Sequence, residues 1–231
     1  MTSLSARVGL LACACFLAAV SPAARGAVSQ AATSPRLRES AVPALPPAAR
    51  GGGEVVLELE VDAGGTVTQV TPLRRTPPFT EALAGAVRSW RFEPAIVVLD
   101  SGRTAVPGRV LVVAVFRPAS LYAGPTAGTP PQVRGRPSPD LPEPASVPVP
   151  PYPPTAVGDA GVIVEIDMTA RAEPRDYRVV TPVSGFDLAA LDTVRTWRFR
   201  PPRAPGTAGQ LFLYAVLGFR APLAPDSRPQ R

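Results

Sequence analysis

The chain contains no histidine, no lysine and no asparagine. Without histidine there is no imidazole general base, no Ser-His-Asp triad and no histidine metal ligand. Without lysine there is no Schiff-base amine and no phosphate-loop lysine. The only cysteines, Cys13 and Cys15, both lie in an N-terminal apolar run. These absences remove the usual catalytic constellations. The chain reads as non-enzymatic, with no cofactor and no metal.

What is abundant points elsewhere. The 231 residues include 31 Pro and 19 Gly, unevenly spread, which suggests small ordered units separated by linkers. The formal net charge is +6 and all 24 basic residues are Arg. They are scattered, with no run longer than Arg74-Arg75. A nucleic-acid partner is therefore not expected, and the complete Arg-for-Lys bias looks like nucleotide composition.

One stretch occurs twice. Phe79, Val87, Arg88, Trp90, Arg91, Phe92 and Pro94 recur as Phe186, Val194, Arg195, Trp197, Arg198, Phe199 and Pro201, at a constant shift of 107 positions. Both copies join a short amphipathic helix to an extended segment through Trp-Arg-Phe-x-Pro. Trp90 and Trp197 are the only tryptophans.

Residues 1–26 read as an export signal. Arg7 precedes an apolar run of 13 residues, Val8 to Val20, too short for a spanning helix and suited to a signal core. Small residues place cleavage between Gly26 and Ala27. Lipidation at Cys13 and retention as a weak membrane anchor are the alternatives. Residues 27–42 read as a flexible lead-in.

The first repeat is expected over 43–118. The second half of Glu54–Val61 alternates apolar and acidic residues as a half-buried strand does, and Asp62-Ala63-Gly64-Gly65 reads as a hairpin turn. Thr66–Leu73 is the return strand and 79–89 the helix, with Leu83, Val87 and Trp90 on one face. A near-continuously apolar last strand, 109–117, implies strong burial or a shielded edge. Residues 119–149 read as a semi-rigid Pro-rich linker without helix or strand. The second repeat, 150–221, has the same order: strand 161–168, turn 169–173, strand 175–180, helix 187–196 with Asp187 as N-cap, and last strand 211–219. Residues 222–231 read as a disordered tail. The expected class is α+β. Two small, independently oriented domains would each hold an antiparallel sheet of about three strands with a helix on one face.

Pro150-Pro151-Tyr152-Pro153-Pro154-Thr155-Ala156 resembles a leading motif Pro-x-Tyr-Pro-x-x-Ala. Val183-Ser184-Gly185-Phe186-Asp187-x-Ala189-Ala190-Leu191, followed by Val194-x-x-Trp197-Arg198-Phe199-x-Pro201, resembles the matching helix and exit motif. Together they are similar to the C-terminal domain of TonB, the periplasmic energy transducer of Gram-negative bacteria. The first repeat is a weaker copy, with Leu45 in place of the motif tyrosine. The resemblance implies a periplasmic protein, inner-membrane-anchored if its signal is retained. It further implies binding to an outer-membrane TonB-dependent transporter, or another envelope protein, by strand addition to a sheet edge. The partner-binding candidates it suggests are Tyr152, Pro153, Leu211, Phe212, Leu213 and Tyr214. A scaffold without energy coupling is the alternative function.

Trp90, Phe92, Trp197 and Phe199 read as structural core. Arg91 and Arg198 read as helix C-terminal caps, with a partner carboxylate as the alternative. Tyr152 is either a packing residue or part of a peptide groove. Glu58/Glu60 and Glu165/Asp167 read as alternation on a solvated strand, and Gly51-Gly52-Gly53 as a linker.

Overall fold

The computed structural model describes residues 32–47, 49, 51–121, 128–205 and 208–223. The signal segment 1–26, its Gly26/Ala27 cleavage position, both cysteines and all but the first two residues of the expected tail lie outside these. In chain order the elements are β1 (Ala32–Thr33), β2 (Arg36–Glu39), β3 (Gly53–Val61), β4 (Val67–Arg75), α1 (Phe79–Val87), β5 (Arg91–Glu93), β6 (Ala95–Leu99), β7 (Gly102–Val106) and β8 (Gly108–Phe116). They continue as β9 (Gln132–Val133), β10 (Glu143–Ser146), β11 (Ala160–Thr169), β12 (Pro174–Thr181), α2 (Asp187–Arg195), β13 (Arg198–Arg200) and β14 (Ala208–Phe219).

The local signals produce local structure. Asp62 Oδ1 accepts hydrogen bonds from the amides of Gly64 and Thr66, both at 2.9 Å, and Gly65 takes φ 83°. The β3–β4 turn thus uses its aspartate as acceptor and its glycine for the left-handed conformation. The turn of the second hairpin closes without glycine: Ala172 adopts φ 62°, and Thr169 Oγ1 accepts from the amides of Arg171 and Glu173. Helix α1 buries Phe79, Leu83 and Val87; α2 buries Ala190 and Val194. Asp187 is not the N-cap. Phe186 occupies that position, and Asp187 Oδ1 instead accepts from the Val183 amide at 2.7 Å. Arg91 Nη1 donates to the carbonyls of Ser89 and Trp90. Arg198 Nη1 donates to those of Arg195, Thr196 and Trp197.

The expected architecture of two small three-stranded domains is overturned. The structure is mostly sheet, and one ten-stranded mixed sheet runs through both repeats. The strands β12-β11-β14-β8-β3-β4 lie side by side. The junction is β14 against β8, parallel, from Leu213↔Leu111 to Gly218↔Phe116. Parallel pairing keeps the strand direction and turns the second repeat over, so the helices sit on opposite faces. Along β8, Val110, Val112, Ala114 and Phe116 enter the core beneath α1, while Leu111, Val113 and Val115 enter the core beneath α2. This is why β8 and β14 are apolar almost throughout: both faces are buried. Each core draws on both repeats. Ile163, Tyr214 and Val216 pack with Trp90, and Val56, Leu111 and Val113 pack with Trp197.

Parts of the expected lead-in, 27–42, and linker, 119–149, are also structured among the described residues. Segment 36–39 (β2) pairs with β5, and segment 143–146 (β10) pairs with β13, at equivalent places in the two repeats. Trp90 Nε1 donates to the Ala41 carbonyl at 2.9 Å; Trp197 Nε1 donates to that of Pro148 at 3.3 Å. Each tryptophan thus pins the strap that precedes its own repeat. A further strand pair, β6–β7, fills the connection between β5 and β8, and β9 adds to the edge of β4. The straps escaped sequence reading because they are short, lack periodicity and are stabilised by contacts made far along the chain.

Candidate functional site

The strand expected to offer a free edge does not have one. On one side β14 pairs with the whole of β11, from Ala160↔Phe219 to Thr169↔Gln210. On the other it pairs first with β1, then with β8. Between them Ser34 closes the gap: the Phe212 amide donates to Ser34 Oγ at 2.7 Å. Leu211, Phe212, Leu213 and Tyr214 are all buried in the core. Their expected role as a strand-addition edge is therefore corrected. The chain itself occupies that edge, a non-local pairing that no local pattern announces.

Buried carboxylates fasten the straps, each to the other repeat. Arg36, ahead of repeat 1, bonds Glu165 of repeat 2 at 2.9 Å, and Arg178 joins it at 3.0 Å. Ser138, ahead of repeat 2, donates its amide to Glu58 Oε2 of repeat 1 at 2.8 Å, with Arg109 at 3.6 Å. Glu58 and Glu165 are thus buried anchors, not members of a solvated strand face. Groups of this kind specify register more than they add stability.

Tyr214 completes the Glu165 anchor. Its hydroxyl accepts from the Leu37 amide at 2.7 Å and lies 3.4 Å from Glu165 Oε2. Burial, reinforced by the Glu165 charge, holds its pKa well above the ordinary 10.0. A raised phenol pKa favours folding with the neutral form. This contribution is complete below pH about 10 and is lost as pH rises toward the folded value. Tyr214→Phe is expected to lower stability at neutral pH and to flatten the decline above pH about 10. Urea midpoints at neutral and alkaline pH measure both effects. An unchanged alkaline slope contradicts the assignment.

Tyr152 and Pro153 line an apolar cleft of about 1100 Å³ between α2 and the strap. Tyr152 is mainly a packing residue: it is buried, its ring meets Phe186 edge-on at 5.8 Å, and its hydroxyl donates to the Gly158 carbonyl. Burial raises its pKa. The cleft exists because the two straps meet different floors. Val42 of the first strap and Leu45 just after it settle over Gly161 and Gly218, where an added Cβ would lie 2.2 Å from Val42 Cγ1 and 2.9 Å from Leu45 Cδ2. Beneath the second strap the equivalent sheet positions are Glu54 and Val115, which line the cleft and hold the strap away.

Sequence reasoning missed the outer edge of β12. Strand β12 pairs only with β11. Its other edge is open among the described residues and carries Arg175, Asp176, Tyr177 and Arg178. The equivalent edge of β4 is taken up by the chain itself: β9 pairs antiparallel at Arg74↔Val133 and Arg75↔Gln132, and Arg134 donates its amide to the Leu73 carbonyl at 2.8 Å. A pocket of about 300 Å³ adjoins β12 at its turn end, lined by Ala172, Pro174, Tyr177, Trp197, Arg198 and Phe199. In repeat 1 this place is closed by the Phe92 amide donating to the Gly65 carbonyl at 2.9 Å.

Among the described residues no group of three or more His, Cys, Asp or Glu could hold a metal, and no helix is long and apolar enough to cross a membrane. Comparisons with protein-family models, with curated proteins and with solved structures match nothing.

Proposed function

We propose that this chain is a non-enzymatic, exported envelope protein that holds a partner by strand addition, as the TonB C-terminal domains it resembles do. The partner would be an outer-membrane transporter or another envelope protein, met in the periplasm. The observation that carries this reading is the open edge of β12 beside an equivalent edge, on β4, that already takes an added strand from its own chain. Unpaired main-chain groups accept many partner sequences, and the charges on β12 deter indiscriminate pairing.

A peptide with the sequence of the transporter segment that TonB recognises is expected to shift the amide signals of Arg175 to Thr181 in an NMR titration of the full chain. Shifts confined to the cleft beside α2 would move the binding site there. A second reading, a scaffold without energy coupling, is favoured by the fused sheet, which fixes both repeats in one body. The N-terminus of the mature protein separates the two: a retained membrane anchor favours transduction, and cleavage after Gly26 favours the scaffold.

A further inference from the structure

We propose that the pocket at the turn end of β12 is a side-chain anchor for the added segment, which carries an aromatic residue and, two positions along, a carboxylate. This rests on strand addition at β12 and specifies its ligand.

The sheet geometry sets the spacing. Tyr177 packs against the core on the α2 face, and it lines the pocket together with Trp197. A strand laid along β12 places every second side chain on that same face, about 5 Å from its cross-strand neighbour. One such side chain lies against Tyr177 and over the pocket. The volume of about 300 Å³ accommodates an aromatic ring. Its walls, Tyr177, Trp197 and Phe199, offer ring faces and edges to pack on.

The charge arrangement selects the next same-face residue. Arg198 lines the pocket, with its guanidinium on the exposed surface of the α2 C-terminus. Arg195 and Arg198 both act on the Tyr177 phenol as positive neighbours. Asp192 engages Arg195 at 3.1 Å. The other charges around the pocket are Glu173 on its wall and, from the hairpin, Arg171, Arg175 and Asp176. Among the described residues Arg198 makes its hydrogen bonds to main-chain carbonyls, so its charge has no carboxylate partner in those bonds. A carboxylate two residues from the anchoring ring comes within its reach, and a guanidinium fork suits it.

The test uses the full chain with Trp90→Phe, which leaves Trp197 as the sole tryptophan. A short extended peptide containing Phe-x-Glu is titrated while Trp197 emission and the amides of residues 175–181 are followed. Binding is expected to shift both. Replacing the peptide phenylalanine by alanine is expected to weaken binding by about tenfold or more. Arg198→Lys is expected to weaken the Glu peptide but not its Gln counterpart. Amide shifts along β12 with unchanged Trp197 emission, and affinity indifferent to the phenylalanine, would overturn the anchor while leaving strand addition standing. Absence of any β12 shift would overturn both.

Discussion

Either repeat produced alone, as residues 32–121 or 128–223, is expected to fail as a soluble monomer, whereas the two mixed together should recover a folded particle. Separation strips β8 from β14 and leaves each with an unpaired edge along a strand that is apolar on both faces. Such an edge recruits other chains. It also divides both cores. Repeat 1 would lose Ile163, Phe212, Tyr214 and Val216 from around Trp90; repeat 2 would lose Val56, Leu111, Val113 and Val115 from around Trp197. The straps would lose their anchors too, because Arg36 and Glu165, and Ser138 and Glu58, lie on different fragments. Sedimentation and amide dispersion of each fragment and of the mixture measure the effect. A monomeric, well-dispersed fragment would show that its core is self-sufficient and refute the shared-core account.

Trp197→Ala is expected to destabilise the whole chain. Trp197 is 2% exposed, packs beside Phe199 and holds the strap through the Pro148 carbonyl. Truncating a buried tryptophan costs about 3–5 kcal/mol. Because its cluster includes Leu111 and Val113 of β8, the loss should be felt in repeat 1 as well. The variant provides its own probe, since Trp90 remains as the only tryptophan and sits in the opposite core. Its emission and the far-ultraviolet circular dichroism should report one coincident urea transition, shifted to lower denaturant. If Trp90 keeps its original midpoint while the circular dichroism melts early, the repeats unfold independently.

The elements themselves were legible. Both hairpins, both helices and both terminal strands occur at the expected places, within a few residues. Alternation, helical spacing and turn chemistry are local signals, and the residues that carry them sit close together in sequence. Trp90 and Trp197 as core, and Arg91 and Arg198 as helix caps, follow from the same short-range logic. Glu58 and Glu165 show where that logic stops. A carboxylate flanked by apolar residues reads as solvent-facing alternation, and it takes two guanidinium groups, Arg178 on the neighbouring strand and Arg36 129 positions away, to make burial of Glu165 tolerable. The straps 36–42 and 143–148 were missed for a related reason. Their order comes from a distant indole and a distant strand, not from their own composition.

By itself, then, the sequence determined that this chain holds two copies of one strand-hairpin-helix-strand unit and has neither histidine nor lysine. Tertiary structure alone decided that the copies fuse through β8 and β14, close the edge that resemblance had singled out, and leave β12 open among the described residues. The physical reason is that strand pairing is made by main-chain groups that every residue except proline possesses in full. An apolar last strand records that both faces will be buried. It does not record which strand will lie beside it.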